Sequence, residues 1–275
     1  MKKTFSLSLA ALVALGLVGC SSNTDKPSST ASSTATTEAT TETSAETKDA
    51  PIETAHYDVV KRDGKITLDG VLDEEVWDTV LPISGSFHYP WEAVEAPFTE
   101  YKGYHDGENF YFSFVVKDPQ VLVEEEWNDD ERSTVDNEDR VEMFFTGGEI
   151  DKERDGKLQP YYNIEIDAKG RVHDYSMVYY RDQMDSTWDF EGLEAAGQQT
   201  DDGYVVEALI PISALKDLKL LGDNNVMRTG VYRAEFSKPE GAEEIDMHWI
   251  SWVDPKTEEP DYHVDSSFGE FRFLQ

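Results

Sequence analysis

The chain has little cysteine and little positive charge. Cys20 is its single cysteine, so no disulfide can form within the chain. A c-type haem attachment, which needs two cysteines, is excluded for the same reason. Lysine and arginine number 24 against 57 aspartates and glutamates, which gives a formal net charge of −33. This imbalance argues against nucleic acid and anionic membrane surfaces as partners.

The chain begins with a short positive segment and an uncharged apolar stretch from Phe5 to Val18. The stretch is too short to span a bilayer comfortably, which favours a signal peptide. It ends at Cys20 and resembles the lipobox of bacterial lipoproteins, in which the cysteine receives a diacylglycerol and becomes the new N-terminus. The resemblance implies a signal peptide over residues 1–19, lipidation of Cys20, and a domain anchored to the cell envelope outside the cytoplasm. The alternative is a secreted protein with an isolated cysteine.

Residues 20–55 form a segment of a different composition. Serine, threonine, alanine and charged residues dominate it, and it contains no aromatic residue. Such a segment buries too little apolar surface to offset the entropy of ordering, which predicts a disordered tether with a reach of about 30 Å. Residues 56–275 remain as one domain, a length typical of a single β-sandwich or barrel.

The apolar residues of this domain recur mostly with period two, which indicates β-strands. Phe110, Phe112 and Phe114 alternate with Tyr111 and Ser113, so both faces of that strand are expected to be buried. Helix is limited to two predicted single turns, at 73–77 and 211–215. Many short strands separated by turn residues predict an all-β, two-sheet antiparallel sandwich of the jelly-roll type. The predicted strands are 99–105, 110–117, 141–146, 161–167, 171–175, 204–210, 231–238, 247–252 and 270–274.

Five short motifs follow one another along the domain. They are Ile66-Thr67-Leu68-Asp69-Gly70-Val71-Leu72-Asp73-Glu74 with Trp77, the hairpin Tyr104–Asp118 before Pro119, Asp139 with Val141-Glu142-Met143-Phe144-Phe145, Gly203-Tyr204-Val205-Val206-Glu207-Ala208 through Pro211, and Phe268-Gly269. In this order they resemble the family 9 carbohydrate-binding modules and their DOMON-type relatives. The resemblance covers roughly residues 57 to 275. It implies a two-sheet sandwich, often with bound calcium, that binds sugars without cleaving them.

The resemblance therefore implies a polysaccharide or oligosaccharide as partner, with the membrane contacted only through the lipid. The chain lacks G-x-S-x-G, H-E-x-x-H and phosphate-loop motifs, so it is expected not to be an enzyme, although an accessory role in glycoside breakdown remains open. Two alternatives stay open. One is a sandwich used for protein contacts or envelope structure; the other is a haem-binding redox module with ligands among His88, His105, His173, Met177, Met247 and His248.

A sugar site needs aromatic planes for the C–H faces and rigid polar groups for the hydroxyls. The resemblance assigns these roles to Glu142, Asn163, Glu165 and Tyr262, while Trp127 is the candidate for the second stacking aromatic. Arg233 is a further candidate donor. The structural alternatives are a surface position for Glu142, a solvated strand face for Asn163 and Glu165, a loop anchor for Tyr262 and an ion pair for Arg233.

Two further groups of residues complete these expectations. The acidic stretch from Glu124 to Asp139 offers hard oxygen ligands that suit calcium, but its spacing is not that of an EF-hand and assigns no ligand. The tryptophans Trp77, Trp249 and Trp252 lie among apolar strand positions and are expected in the core. The pattern assigns no place to Trp91 or Trp188.

Overall fold

A computed structural model describes residues 54–124 and 138–275. The predicted signal peptide, Cys20 and Trp127 lie outside these residues.

One α-helix, α1 (Ile212–Asp217), and two 3-10 helices, Trp77–Thr79 and Asp265–Ser267, occur in the described ranges, where no helix is long and apolar enough to cross a membrane. The strands are β1 (His56–Lys61), β2 (Ile83–Ser84), β3 (Thr99–His105), β4 (Asn109–Lys117), β5 (Arg140–Thr146), β6 (Tyr161–Asp167), β7 (Val172–Val178), β8 (Asp182–Asp185), β9 (Glu194–Thr200), β10 (Gly203–Pro211), β11 (Val226–Ser237), β12 (Asp246–Ser251) and β13 (Gly269–Phe273).

The strands form two sheets. The first sheet has the order β8-β7-β6-β5-β11-β13-β1, and β12 pairs with the last half of β11. The second sheet has the order β1-β3-β4-β10-β9, with β2 on β3. Strand β1 joins the sheets, because His56–Val59 pair with β13 and Val60–Lys61 pair with β3. Both pairings of β1 are parallel, and all other named strand pairs are antiparallel, so the predicted sandwich is confirmed with this one exception.

The core lies between the two sheets and follows the alternation of the strands. On β4, Phe110, Phe112 and Phe114 point into it, and on β5 Val141 and Met143 do the same from the facing sheet. Strand β11 begins at Val226, five residues before the predicted start, and supplies Met227 and Val231 to this core. Because the inward positions are apolar, the outward positions of each sheet are left for other contacts.

The outer face of the second sheet is covered by the segment between β1 and β2. Trp77 of this segment packs edge-on against Tyr104, whose ring stacks on Tyr111 at 4.9 Å between centroids. This explains why both faces of β4 are buried, as the sequence predicts. The outer face of the first sheet carries a separate cluster, in which Tyr262 and Phe268 of the segment before β13 pack with Phe144 of β5 and Tyr161 of β6.

Buried Glu207 on β10 holds the covering segment in place. Its Oε1 accepts a hydrogen bond from Trp77 Nε1 (3.1 Å), and its Oε2 accepts from the backbone N–H groups of Asp69 (3.3 Å) and Gly70 (2.9 Å). Gly70 has φ +79°, and a Cβ there would lie 2.8 Å from Gln198 N, so only glycine fits. The opening motif and the motif around Glu207 are thus two halves of one structural contact.

We expect Glu207→Gln to lower the free energy of unfolding by about 1–3 kcal/mol, because in either orientation of the amide its NH₂ replaces one acceptor oxygen and leaves Trp77 Nε1–H or the two backbone N–H groups without a partner. Urea denaturation of the variant beside the wild type measures this difference. Glu194→Gln, on exposed β9, is the matched control and should change stability by less than about 0.5 kcal/mol. Equal stability of the two variants would contradict the assigned role of Glu207.

Candidate functional site

Polar side chains gather on the outer face of the first sheet. Glu142 on β5 and Glu165 on β6 are direct cross-strand partners, an arrangement that is unfavourable for two like charges. Arg140, two residues before Glu142, compensates for it: its Nε lies 2.9 Å from Glu142 Oε1 and 3.2 Å from Glu165 Oε2. All three side chains are buried, so the ion pairs are shielded from water.

Glu165 stays ionised in this position. Burial alone would raise its pKa, but the charge of Arg140, the nearby ring of His173 and a hydrogen bond from Tyr175 hold the pKa at about 2. The Tyr175 hydroxyl donates to Glu165 Oε1 at 2.9 Å. The outer face of the sheet therefore presents a fixed anion beside a fixed guanidinium.

Aromatic rings lie beside Arg140, Glu142 and Glu165, which together form the polar floor of the site. Tyr262 stacks on Tyr232 of β11 with 4.1 Å between centroids, and its hydroxyl donates to the backbone oxygen of Ile250 at 2.8 Å. Half-buried Trp249 of β12 meets the Tyr262 ring edge-on at 5.9 Å, and half-buried Trp91 lies 5.8 Å from it. The two indoles keep part of their surface exposed while Tyr262 fixes their positions.

Trp91, Trp249 and Tyr262 form the aromatic wall of the site. Arg140 of the polar floor contacts this wall. Its guanidinium lies 5.7 Å from the Trp249 ring centroid and 5.5 Å from that of Phe236. Such cation–π contacts contribute about 0.5–2 kcal/mol each. The indole of Trp91 is fixed differently, because its Nε1 donates to the backbone oxygen of Thr257 at 3.1 Å.

The rim of the site comes from the loop before Tyr262 and from the β7–β8 turn. Asp261 in the loop is ion-paired with Arg181 in the turn, with 2.9 Å between Oδ1 and NH2. His263 faces inward, with Nδ1 2.9 Å from the Tyr161 hydroxyl, and burial together with the charge of Arg181 lowers its pKa to about 4. The ring of His263 is therefore neutral at neutral pH.

These elements enclose a pocket of about 400 Å³, a size typical of small-molecule sites. Aromatic and apolar side chains alternate around it with charged ones that are already paired. Its lining residues are Trp91, Arg140, Glu142, Glu165, Tyr175, Met177, Arg181, Met184, Trp249, Pro260, Asp261, Tyr262 and His263.

The structure brings three of the predicted site residues together, namely Glu142, Glu165 and Tyr262. Asn163 lies on the same face of β6 but is fully buried and does not line the pocket. Both of its amide atoms are without a hydrogen-bond partner among the described residues. Trp127, the predicted stacking aromatic, lies outside the described residues.

Arg233 is not part of the pocket, and its expected role as a sugar donor is not supported. It alternates with outward-facing Tyr232 and therefore points between the sheets. There its NH1 donates to the backbone oxygens of Phe98 and Lys117, both at 3.3 Å, and to Thr99 Oγ1 at 3.2 Å. The position of Arg233 agrees with the alternative expectation, in which it forms an ion pair.

Three buried carboxylates surround Arg233. Asp118 Oδ2 lies 3.6 Å from its NH2, and Glu235 accepts a hydrogen bond from the same nitrogen. Asp139 completes the cluster, and one oxygen from each carboxylate lies within 4.8 Å of the others. Burial and the nearby charge of Asp118 raise the pKa of Asp139 to about 8, and burial raises that of Glu235 to about 7 against the charge of Arg233.

Sequence reasoning missed Arg140, Trp91 and Trp249 as site residues. Trp249 was expected in the core, but it lies directly opposite Ala234 on the outer face of β11. Side chains alternate between the two faces along β12, and this alternation is the signal that could have identified Trp249. Trp91 comes from the loop between β2 and β3, and no local pattern relates this loop to the other sheet.

Comparisons with known proteins agree with the resemblance in the sequence. The model of the family described as carbohydrate family 9 binding domain-like matches residues 68–274. A putative carbohydrate-binding protein from Bacteroides uniformis has a similar fold, with a TM-score of 0.57 and 17% identity over 81% of this chain and 100% of that one.

A carbohydrate-binding module of family 9 from Caldicellulosiruptor kristjanssonii is also similar, at 18% identity. Its glucose complex gives a TM-score of 0.51 over 80% of this chain and 96% of that one, and its cellotriose complex gives 0.53 over 80% and 93%. The comparison with curated proteins gave no match. Because the family model spans most of its length, this chain belongs to the carbohydrate family 9 binding domain-like family.

Proposed function

We propose that the pocket on the first sheet binds a saccharide and does not cleave it. The observation that carries the proposal is the junction of a paired polar floor, Arg140 with Glu142 and Glu165, and an aromatic wall that includes Trp91 and Trp249. A sugar ring needs this combination, because its C–H faces stack on rings and its hydroxyls bind carboxylates and guanidinium groups. Family membership supports the same function.

The charge states of two pocket carboxylates favour binding over catalysis. A glycosidase needs one carboxylic acid that stays protonated near neutral pH. In this pocket the pKa of Glu165 is lowered, as is that of Asp261, because hydrogen bonds and arginine charges outweigh the effect of burial. Both carboxylates are therefore poor proton donors, and Glu165 is an acceptor for hydroxyl groups.

We expect Trp249→Ala and Trp91→Ala each to weaken saccharide binding by about tenfold or more, which corresponds to about 1.4 kcal/mol. Because a related module was solved with glucose and with cellotriose, these sugars are the first ligands for titration calorimetry. Phe98→Ala, an exposed aromatic outside the pocket, is the matched control.

Wild-type protein that binds nothing on a broad glycan array would contradict the proposal. So would a Phe98→Ala variant that loses as much affinity as the two tryptophan variants.

We also propose a structural calcium ion at the cluster of Asp118, Asp139 and Glu235. Carboxylate oxygens are the ligands that calcium prefers, and the three lie within 4.8 Å of one another. With all three carboxylates ionised, the cluster and Arg233 carry a net charge of −2. The raised pKa values of Asp139 and Glu235 indicate that this state is unfavourable without a further cation, and a divalent ion would balance it. Buried charges need such compensation. The ion would join the end of β4 to β5 and β11.

Calcium removal should therefore destabilise the domain. A chelator is expected to lower the melting temperature and excess calcium to restore it, since a ligand at 100 times its Kd adds about 2.7 kcal/mol. Asp118→Asn should abolish this calcium dependence, whereas the exposed Asp246→Asn should keep it. A chelator effect that persists in Asp118→Asn would place any ion elsewhere.

We propose that Cys20 carries the lipid that anchors the domain to the envelope, as the lipobox pattern supports. Cys20→Ser should move the protein from the membrane fraction to the soluble fraction of cells that express it, because a lipid-anchored chain needs its acyl groups to stay on a bilayer. Incorporation of labelled fatty acid, followed by gel analysis, measures the modification directly. Equal labelling of the variant and the wild type would refute the assignment.

A further inference from the structure

Two segments that are distant in sequence border the open side of the pocket. One is the loop that contains Pro260, Asp261, Tyr262 and His263, and the other is the β7–β8 turn with Arg181. They are separated by about eighty residues, and no strand pairing joins them within the described sheets. The width of the pocket on this side therefore depends on side-chain contacts.

The carboxylate of Asp261 makes contacts of this kind. Asp261 Oδ2 accepts a hydrogen bond from the Tyr180 hydroxyl (2.7 Å), and its Oδ1 accepts from Arg181 NH2 (2.9 Å). The same Oδ1 accepts from the backbone N–H of His263 (2.8 Å). Asp261 thus fixes the β7–β8 turn and the course of its own loop on either side of Tyr262.

The surroundings of Asp261 keep it charged. Burial would raise its pKa, but hydrogen bonds from Tyr180, Arg181 and the His263 backbone lower it below the ordinary value. Its side chain is 13% exposed, against 47% for Arg181. Hydrogen bonds to an ionised acceptor are about twice as strong as neutral ones, so this contact has the strength to order two loops.

We propose that Asp261 is a positioning residue, which holds the Tyr262 loop against the β7–β8 turn and fixes the width of the saccharide pocket before the ligand arrives. This inference rests on the proposed function, since it takes the pocket to be the saccharide site. Ordering the two loops in advance removes an entropic cost from binding. The carboxylate acts through Tyr180 and Arg181 and not through a bond to the sugar.

A mutant cycle separates positioning from direct contact. Asp261→Ala is expected to weaken saccharide binding about tenfold, and the combined Tyr180→Phe and Arg181→Met variant to weaken it similarly. The triple variant should then bind no worse than Asp261→Ala alone, because all three changes break one contact. Asp182→Ala, at the first residue of β8 next to Arg181 but outside the pocket lining, is the matched control and should bind like the wild type.

Hydrogen exchange gives a second readout, which needs no ligand. The amide of His263 should exchange faster in Asp261→Ala than in the wild type or in Asp182→Ala, because its acceptor is gone. Additive losses in the cycle, or unchanged exchange of this amide, would overturn the inference while wild-type binding upholds the proposed function. If the wild type binds no saccharide, the proposed function and the saccharide role of Asp261 both fall, and the exchange result still decides whether Asp261 holds the loop.

Discussion

The buried guanidinium of Arg140 is the interaction on which the pocket depends. Two carboxylates, Glu142 and Glu165, face each other across neighbouring strands, and without a cation between them their burial would be unfavourable. Removing one partner from such a buried pair typically costs about 3–5 kcal/mol. Arg140 also packs against the Trp249 ring, so the polar floor and the aromatic wall share one residue. A saccharide bound there meets groups whose positions and charges are already fixed.

The two sheets use the same principle for different purposes. On the second sheet, buried Glu207 accepts three hydrogen bonds and fastens a covering segment over the outer face. On the first sheet, the outward carboxylates are paired with Arg140 and line a pocket. Between the sheets, Arg233 and its three acidic neighbours tie the end of β4 to β11. Each of these three sites combines buried carboxylates with hydrogen-bond donors. Whether a site can take a ligand depends on how accessible the site is.

Much of this arrangement could be predicted because strand alternation is local. The period-two pattern predicted the sandwich, and the family motif around Glu142 assigned that residue to the sugar site. Alternation also limits what the pattern allows: Val231 belongs to the core, so Arg233, two residues on, had to point inward as well. Trp249 lies on the outward-facing side of its strand and therefore reaches the pocket. Both assignments follow from knowing which face of β11 is buried, which the sequence does not state by itself.

The aromatic wall could not be predicted in full, because it joins parts of the chain that no local pattern connects. Trp91 lies 166 residues from Thr257, the residue that fixes its indole. The same is true of the rim, where Asp261 and Tyr180 meet across 81 residues. Contacts of this kind depend on how the loops of two sheets pass over one face, and spacing in the sequence carries no information about them.

The most direct test of the saccharide site is a nuclear magnetic resonance titration that follows the six tryptophan indole N–H signals as a cello-oligosaccharide or another bound glycan is added. The account predicts that the signals of Trp91 and Trp249 shift in a saturable manner, while those of core Trp77 and Trp252 stay in place. Saturable shifts confined to other tryptophans, or no shift of Trp91 and Trp249 at saturating ligand, would contradict it.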